Sequence, residues 1–180
     1  MPIPFYYFCT FSWRATISRL SAVSACLLLT ATAALAQSSA TKTFLTEAIE
    51  GNYAEIQMGE FAQKNGQSDG VRSVGKMLID DHGQANRKAI DTAKSMNITA
   101  PNGPNAKQKS DYDRMARMNG PAFDKSFAQH MVKDHQKDIA AYKKQSKSKD
   151  ASGEYAQQTL PALQMHLEEA QKLQRQSTKR

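Results

Sequence analysis

Four long stretches of this 180-residue chain repeat apolar or small residues at three- and four-residue intervals, and none alternates with the period of two that a strand needs. Glycine and proline separate them. The first runs from about Thr41 to Asn65, with Leu45, Ala48, Ile49, Asn52, Ile56, Gly59 and Ala62 on one face and Gly66 as a stop. The second runs from about Asp69 to Met96 behind a Ser68 cap, with Val71, Val74, Leu78, Ala85, Ala89 and Ala93 along its stripe. Ala100-Pro101-Asn102-Gly103-Pro104 must then be loop, because two prolines and a glycine cannot continue a helix.

A short helix is expected from Lys107 to Met118, ended by Asn119-Gly120-Pro121. The third long stretch spans Pro121 to about Ser148 and turns Phe123, Phe127, Met131, Ile139 and Tyr142 inward. The fourth begins at Ser152 or Gly153 and carries Leu160, Leu163, Leu167, Ala170 and Leu173 to about Gln176. Pro161 should kink it, unless the regular helix starts only near Thr159. Short connections make the first and second stretches, and the third and fourth, antiparallel hairpins. The expected fold is an all-α four-helix bundle, packed up-down-up-down, with a short extra helix in the connection between helices two and three.

The bundle does not begin at Met1. Arg14 and Arg19 precede an apolar run, Leu20 to Leu35, that ends in Ala34-Leu35-Ala36. That pattern is a secretory signal peptide, residues 1–36, leaving a bundle domain of residues 37–180. The run is short for a membrane span of roughly 20 residues, so an uncleaved anchor is the lesser reading. The uncharged, aromatic stretch before Arg14 suggests a translation start downstream of Met1. Val23-Ser24-Ala25-Cys26 faintly resembles a lipoprotein box, but the apolar run continues past it.

Both cysteines, Cys9 and Cys26, fall in the leader, so the mature chain has no disulfide, thiolate metal site or thiol nucleophile. Removing the two leader arginines lowers the formal charge from +7 to +5. A charge of that size supports weak, screened contact with acidic envelope surfaces. Lys143, Lys144, Lys147 and Lys149 have no interleaved aromatic residues, which argues against a nucleic-acid partner. No phosphate loop, nucleophile elbow or recognisable triad occurs. The reading is an exported protein, periplasmic or associated with the outer membrane or secreted, without a transmembrane span in its mature part.

The chemistry-bearing residues lie in the middle of the stretches. Asp81-His82 and Asp134-His135 occur in matching contexts, and Glu55 and His166 occupy the corresponding depth of the first and fourth stretches. Glu55 is seven residues from both Ala48 and Ala62; His82 is four after Leu78, His135 four after Met131, and His166 three after Leu163. These spacings put all four on the buried faces. Each stands fourteen or fifteen residues into its stretch, so the helix midpoints bring three imidazoles and a carboxylate into one layer.

Buried ionisable groups are costly unless paired or coordinated. One transition metal ion (copper, zinc, iron or manganese) held by Glu55, His82, His135 and His166 would satisfy them, with Asp81 and Asp134 as further ligands or supports behind the ligands. A metal-free network that fixes helix register is the competing reading, for instance Glu55 accepting from His82 and Asp134 from His130. Met58, Met77, Met131 and Met165 lie within a turn of the layer; methionine beside histidine favours copper, although methionine more often fills core gaps.

Phe44-Leu45-Thr46-Glu47-Ala48, Gly51-Asn52, Ala54-Glu55-Ile56, Gly59, Asp81-His82, Ala85-Asn86, Phe123-Asp124, Asp134-His135, Leu160-Pro161, Leu163, His166-Leu167 and Ala170 together resemble the bacterial exported "domain of unknown function 4142" family. The resemblance covers Thr43 to Leu173 and implies a ferritin-like helical bundle in the envelope. It implies no activity. Ferritin-like di-iron sites take a glutamate from two helices and Glu-x-x-His from the other two. Here Ile79 and Val132 stand three residues before His82 and His135, and His166-x-x-Glu169 runs in reverse order. A carboxylate-bridged di-iron enzyme is therefore not expected. The layer suits metal buffering or stress protection better than catalysis, and a small redox or hydrolytic metalloenzyme is the weakest alternative.

Overall fold

The computed structural model describes the backbone of residues 20–177 and the side chains of residues 39–177. Arg14, Arg19 and Cys9 lie outside the described residues, and of Cys26 and the expected cleavage site at residues 34–36 only the backbone is described. The chain divides into two compact units, one ending at Ser39 and the other beginning at Ala40. The second unit is described below.

Five helices and no strand occur among the described residues: α1 (Leu20–Asn65), α2 (Asp69–Ser95), α3 (Ala106–Ala116), α4 (Gly120–Gln145) and α5 (Ala151–Ser177). The all-α bundle with a short extra helix between its second and third long helices is the architecture found. Helix α1 is assigned from Leu20, earlier than the expected start near Thr41. Ser68 caps α2 through a bond from the Val71 amide, at 3.3 Å. Asn105 and Gln108 form a reciprocal capping box on α3. Asp150 accepts from the Ser152 and Gly153 amides at the start of α5, so that helix begins well before Thr159 and carries Pro161 inside it.

The expected up-down-up-down order is not the one observed. Phe44 meets Tyr142 at 4.9 Å and Phe61 meets Phe123 at 5.1 Å between ring centroids, which sets α4 antiparallel to α1. The Asp124 carboxylate accepts from the Gln67 and Ser68 amides, both at 2.9 Å, which pins the start of α4 to the α1–α2 turn. The order is therefore up-down-down-up, with α2 and α4 running the same way. The connection from Met96 to Asn119 must return along the bundle. A helix of 26 residues is about 39 Å long, and the 11-residue α3 plus extended flanks covers that distance.

Glycine at the α1–α2 crossing explains how closely this pair packs. A Cβ on Gly59 would lie 2.6 Å from the Gly75 carbonyl oxygen, and one on Gly75 would lie 2.7 Å from that of Gly59. The apolar core is divided in two. Val71, Leu78, Phe123, Phe127, Met131 and Leu173 fill the end near the α1–α2 turn. Leu45, Ile49, Ala93, Ile139, Tyr155 and Leu163 fill the other. Between them lies a buried polar layer of Asn52, Glu55, His82, Asn86, His135 and His166.

Candidate metal centre

Three of the expected residues converge. One nitrogen from each of His82, His135 and His166 lies within 4.8 Å of the other two, and the side chains are 3%, 1% and 2% exposed. His82 comes from α2, His135 from α4 and His166 from α5, each from mid-helix. The imidazole centroids are 5.1 to 5.7 Å apart.

Each imidazole is held from behind. His135 Nδ1 donates to the Met131 carbonyl at 2.9 Å, one turn back in α4. His166 Nε2 donates to the Asp81 carboxylate at 2.8 Å. His82 Nδ1 donates to Asn52 Oδ1 at 2.9 Å, and Asn52 in turn bonds the Tyr155 hydroxyl, which meets that of Tyr142. A carbonyl and a carboxylate can only accept, so these partners fix the tautomers. They leave His135 Nε2 and His166 Nδ1 as lone pairs facing each other at 3.2 Å. On the third imidazole, His82 Nε2 is buried and has no hydrogen-bond partner.

Burial sets the electrostatics. It pushes the His82 imidazole well below its ordinary value, with His135 and His166 adding to the effect. It lowers His135 to about 4, with His166 contributing, although the Met131 carbonyl opposes this. His166 is lowered by burial despite Asp81 beside it. A neutral, metal-ready state is thereby favoured over an imidazolium.

The carboxylates fall elsewhere. Glu55 is buried at 5% exposure with Oε2 unpartnered, but it is not part of the convergent group. Burial, then Asp134 and Asp138, raise its carboxyl well above the usual range. Asp81 stands behind His166, and Asp134 pairs with His130 at 3.1 Å, as the network reading expected. The expected Glu55–His82 bond does not form, because His82 turns its Nδ1 to Asn52 and both Glu55 Oε2 and His82 Nε2 lack partners. Of the methionines, Met131 supplies a carbonyl, Met58 is core, Met77 packs half-buried on the core, and Met165 is 45% exposed.

Glu55 and His82 both line a cleft of about 530 Å³ between α1 and α4, roofed by residues of α3. Sequence reasoning missed this cleft, because a void belongs to no periodic pattern. It also read Asn52 as a small stripe residue; a carboxamide on a buried stripe was the signal that a partner stood opposite.

The fold and this cluster define an all-helical bundle with a buried three-histidine centre. The chain belongs to the DUF4142 family, a domain of unknown function, whose profile matches residues 27–173. No curated protein and no solved structure matches it.

Proposed function

We propose that this is an exported envelope protein that binds one transition metal ion through His82, His135 and His166 and serves to hold or buffer it. The observation that carries the reading is the facing pair of lone-pair nitrogens, His135 Nε2 and His166 Nδ1, at 3.2 Å. Two acceptors at that distance repel unless a cation lies between them. Donors about 2.05 Å from a tetrahedral metal stand about 3.3 Å apart, the spacing seen here. The carboxylate and carbonyl behind the imidazoles are the usual means of orienting metal-ligating histidine. Three imidazoles suit zinc, copper or iron; manganese favours oxygen ligands. The single long crossover is also the connectivity of ferritin-like bundles.

The leader pattern supports export, and N-terminal sequencing of protein recovered from the periplasm should begin at Gln37. Metal content of that protein, purified without a histidine tag, should approach one ion per chain and vanish in a His82→Ala/His135→Ala double variant. Absence of metal, with no thermal shift on adding zinc, copper or iron, would refute the metal reading. The register reading would then stand, supported by the Asn52–Tyr155–Tyr142 hydrogen-bonded chain that links α1, α4 and α5 without any ion.

A further inference from the structure

We propose that the cleft between α1 and α4 is the loading path for the metal: a divalent cation is captured by Asp134 and Asp138 and handed by Glu55 to His82. The inference rests on the metal-binding reading above and adds how the buried site is reached.

His135 and His166 do not line the cleft, whereas His82 does, so His82 is the first ligand an ion arriving this way would meet. Its Nε2 is unpartnered. Glu55 lines the same cavity, is 5% exposed, and has an unpartnered Oε2. A buried carboxylate oxygen without a donor costs several kcal/mol in general, and proteins seldom keep one idle. Asp134 and Asp138 lie on the facing α4 wall, partly exposed, and their charges act on Glu55.

Together these carboxylates lead from solvent to the histidines. They do not form a second resident site. Among the described residues only the histidines bring three ligand atoms together, so the carboxylates mark a route rather than a trap.

The cations in the cleft wall do not close the route. Lys107 and Arg114 are both tied to Asp111, Lys133 and Lys137 are exposed, and His130 meets only Oδ2 of Asp134. Replacing one of these carboxyl groups should therefore act on the rate of loading, through the electrostatic focusing of a narrow cleft at Asp138 and through the loss of an oxygen ligand for the passing ion at Glu55.

The test is stopped-flow mixing of the exported protein with cobalt(II), following the visible absorption of the ion as it gains nitrogen ligands. Glu55→Gln and Asp138→Asn should each slow association about tenfold, within the range of such focusing. Release into excess chelator should slow by the same factor, leaving equilibrium affinity where it was. Unchanged association rates in both variants would overturn the path. Faster release with weaker affinity in Glu55→Gln would overturn it differently, by making Glu55 a resident ligand. A wild-type protein that never develops the cobalt spectrum would instead remove the metal reading itself.

Discussion

Asp81→Asn isolates the tautomer argument from everything else in the layer. In the native protein the Asp81 carboxylate forces His166 Nε2 to carry the hydrogen, which makes Nδ1 a lone pair aimed at His135. An asparagine can turn its amide and donate instead. Nε2 then becomes the acceptor, the hydrogen moves to Nδ1, and Nδ1 donates to His135 Nε2 across the existing 3.2 Å. The metal-free protein loses a charge-assisted bond worth about 1.5–3 kcal/mol, at the low end because Asp81 is 36% exposed, and gains a neutral one of about 1 kcal/mol. Its stability should thus change by no more than about 1 kcal/mol, or roughly 4 °C in Tm.

Metal binding should respond far more strongly, because His166 must reverse its tautomer to coordinate. A loss of 10–100-fold is the usual size for such a supporting group, about 1.4–2.7 kcal/mol. At a metal concentration near 100 times the native Kd, the native protein gains about 2.7 kcal/mol and the variant about 0.4–1.4 kcal/mol. Zinc titration with a competing chelator measures the affinity, and long-range nitrogen–proton correlation spectra report the tautomers. His135 should carry its hydrogen on Nδ1 in both proteins, while His166 should switch from Nε2 to Nδ1. A variant with native zinc affinity, or a native His166 already protonated on Nδ1, would refute the reasoning.

Three further outcomes follow from burial and packing. Because His135 titrates near 4 when folded and near 6.5 when unfolded, the unfolded chain binds more protons between these values. The metal-free protein should therefore lose up to about 3 kcal/mol from this group as pH falls from 6.5 to 4. Asp138, pushed up to about 6 by burial and by Asp134, acts oppositely, since the folded state is then the one that holds the extra proton. Asp138→Asn should raise stability at pH 7 and steepen the acid loss; denaturant melts giving parallel pH curves for the two proteins would contradict this. Gly59→Ala would put a Cβ 2.6 Å from the Gly75 carbonyl oxygen. The strain, about 1–3 kcal/mol or more, outweighs an alanine's helix preference of about 1 kcal/mol, so Tm should fall by several degrees. An unchanged Tm would mean that α1 and α2 can part at no cost.

The depth of the layer was legible in the sequence although the topology was not. Helices of similar length share a midpoint whichever way each one runs. Placing His82, His135 and His166 at mid-helix therefore brought them together even though α4 runs opposite to the expected direction. Nothing local decides that direction. It is set by a 24-residue connection, Met96 to Asn119, long enough to allow either course, and by Asp124, whose two bonds to the α1–α2 turn are a contact across 56 and 57 positions. Glu55 was assigned to the cluster on the same depth argument. Depth fixes a level but not an azimuth, and the side chain faces the α4 cleft instead.

That azimuth separates two functions that the sequence had merged. A carboxylate converging with three imidazoles would complete a closed tetrahedral site, which holds an ion and excludes everything else. A carboxylate set in the cleft wall beside His82 would leave a bound ion with three protein ligands and the cleft by which to arrive and leave. Closed structural zinc sites stabilise their folds outright, whereas this bundle has apolar cores on both sides of the layer, so the metal-free chain is expected to fold. Reversible occupancy is what such an arrangement favours. A metal-free protein that stays folded, with cobalt exchanging through the cleft at a rate set by Glu55, is the behaviour that distinguishes a buffer from a structural site.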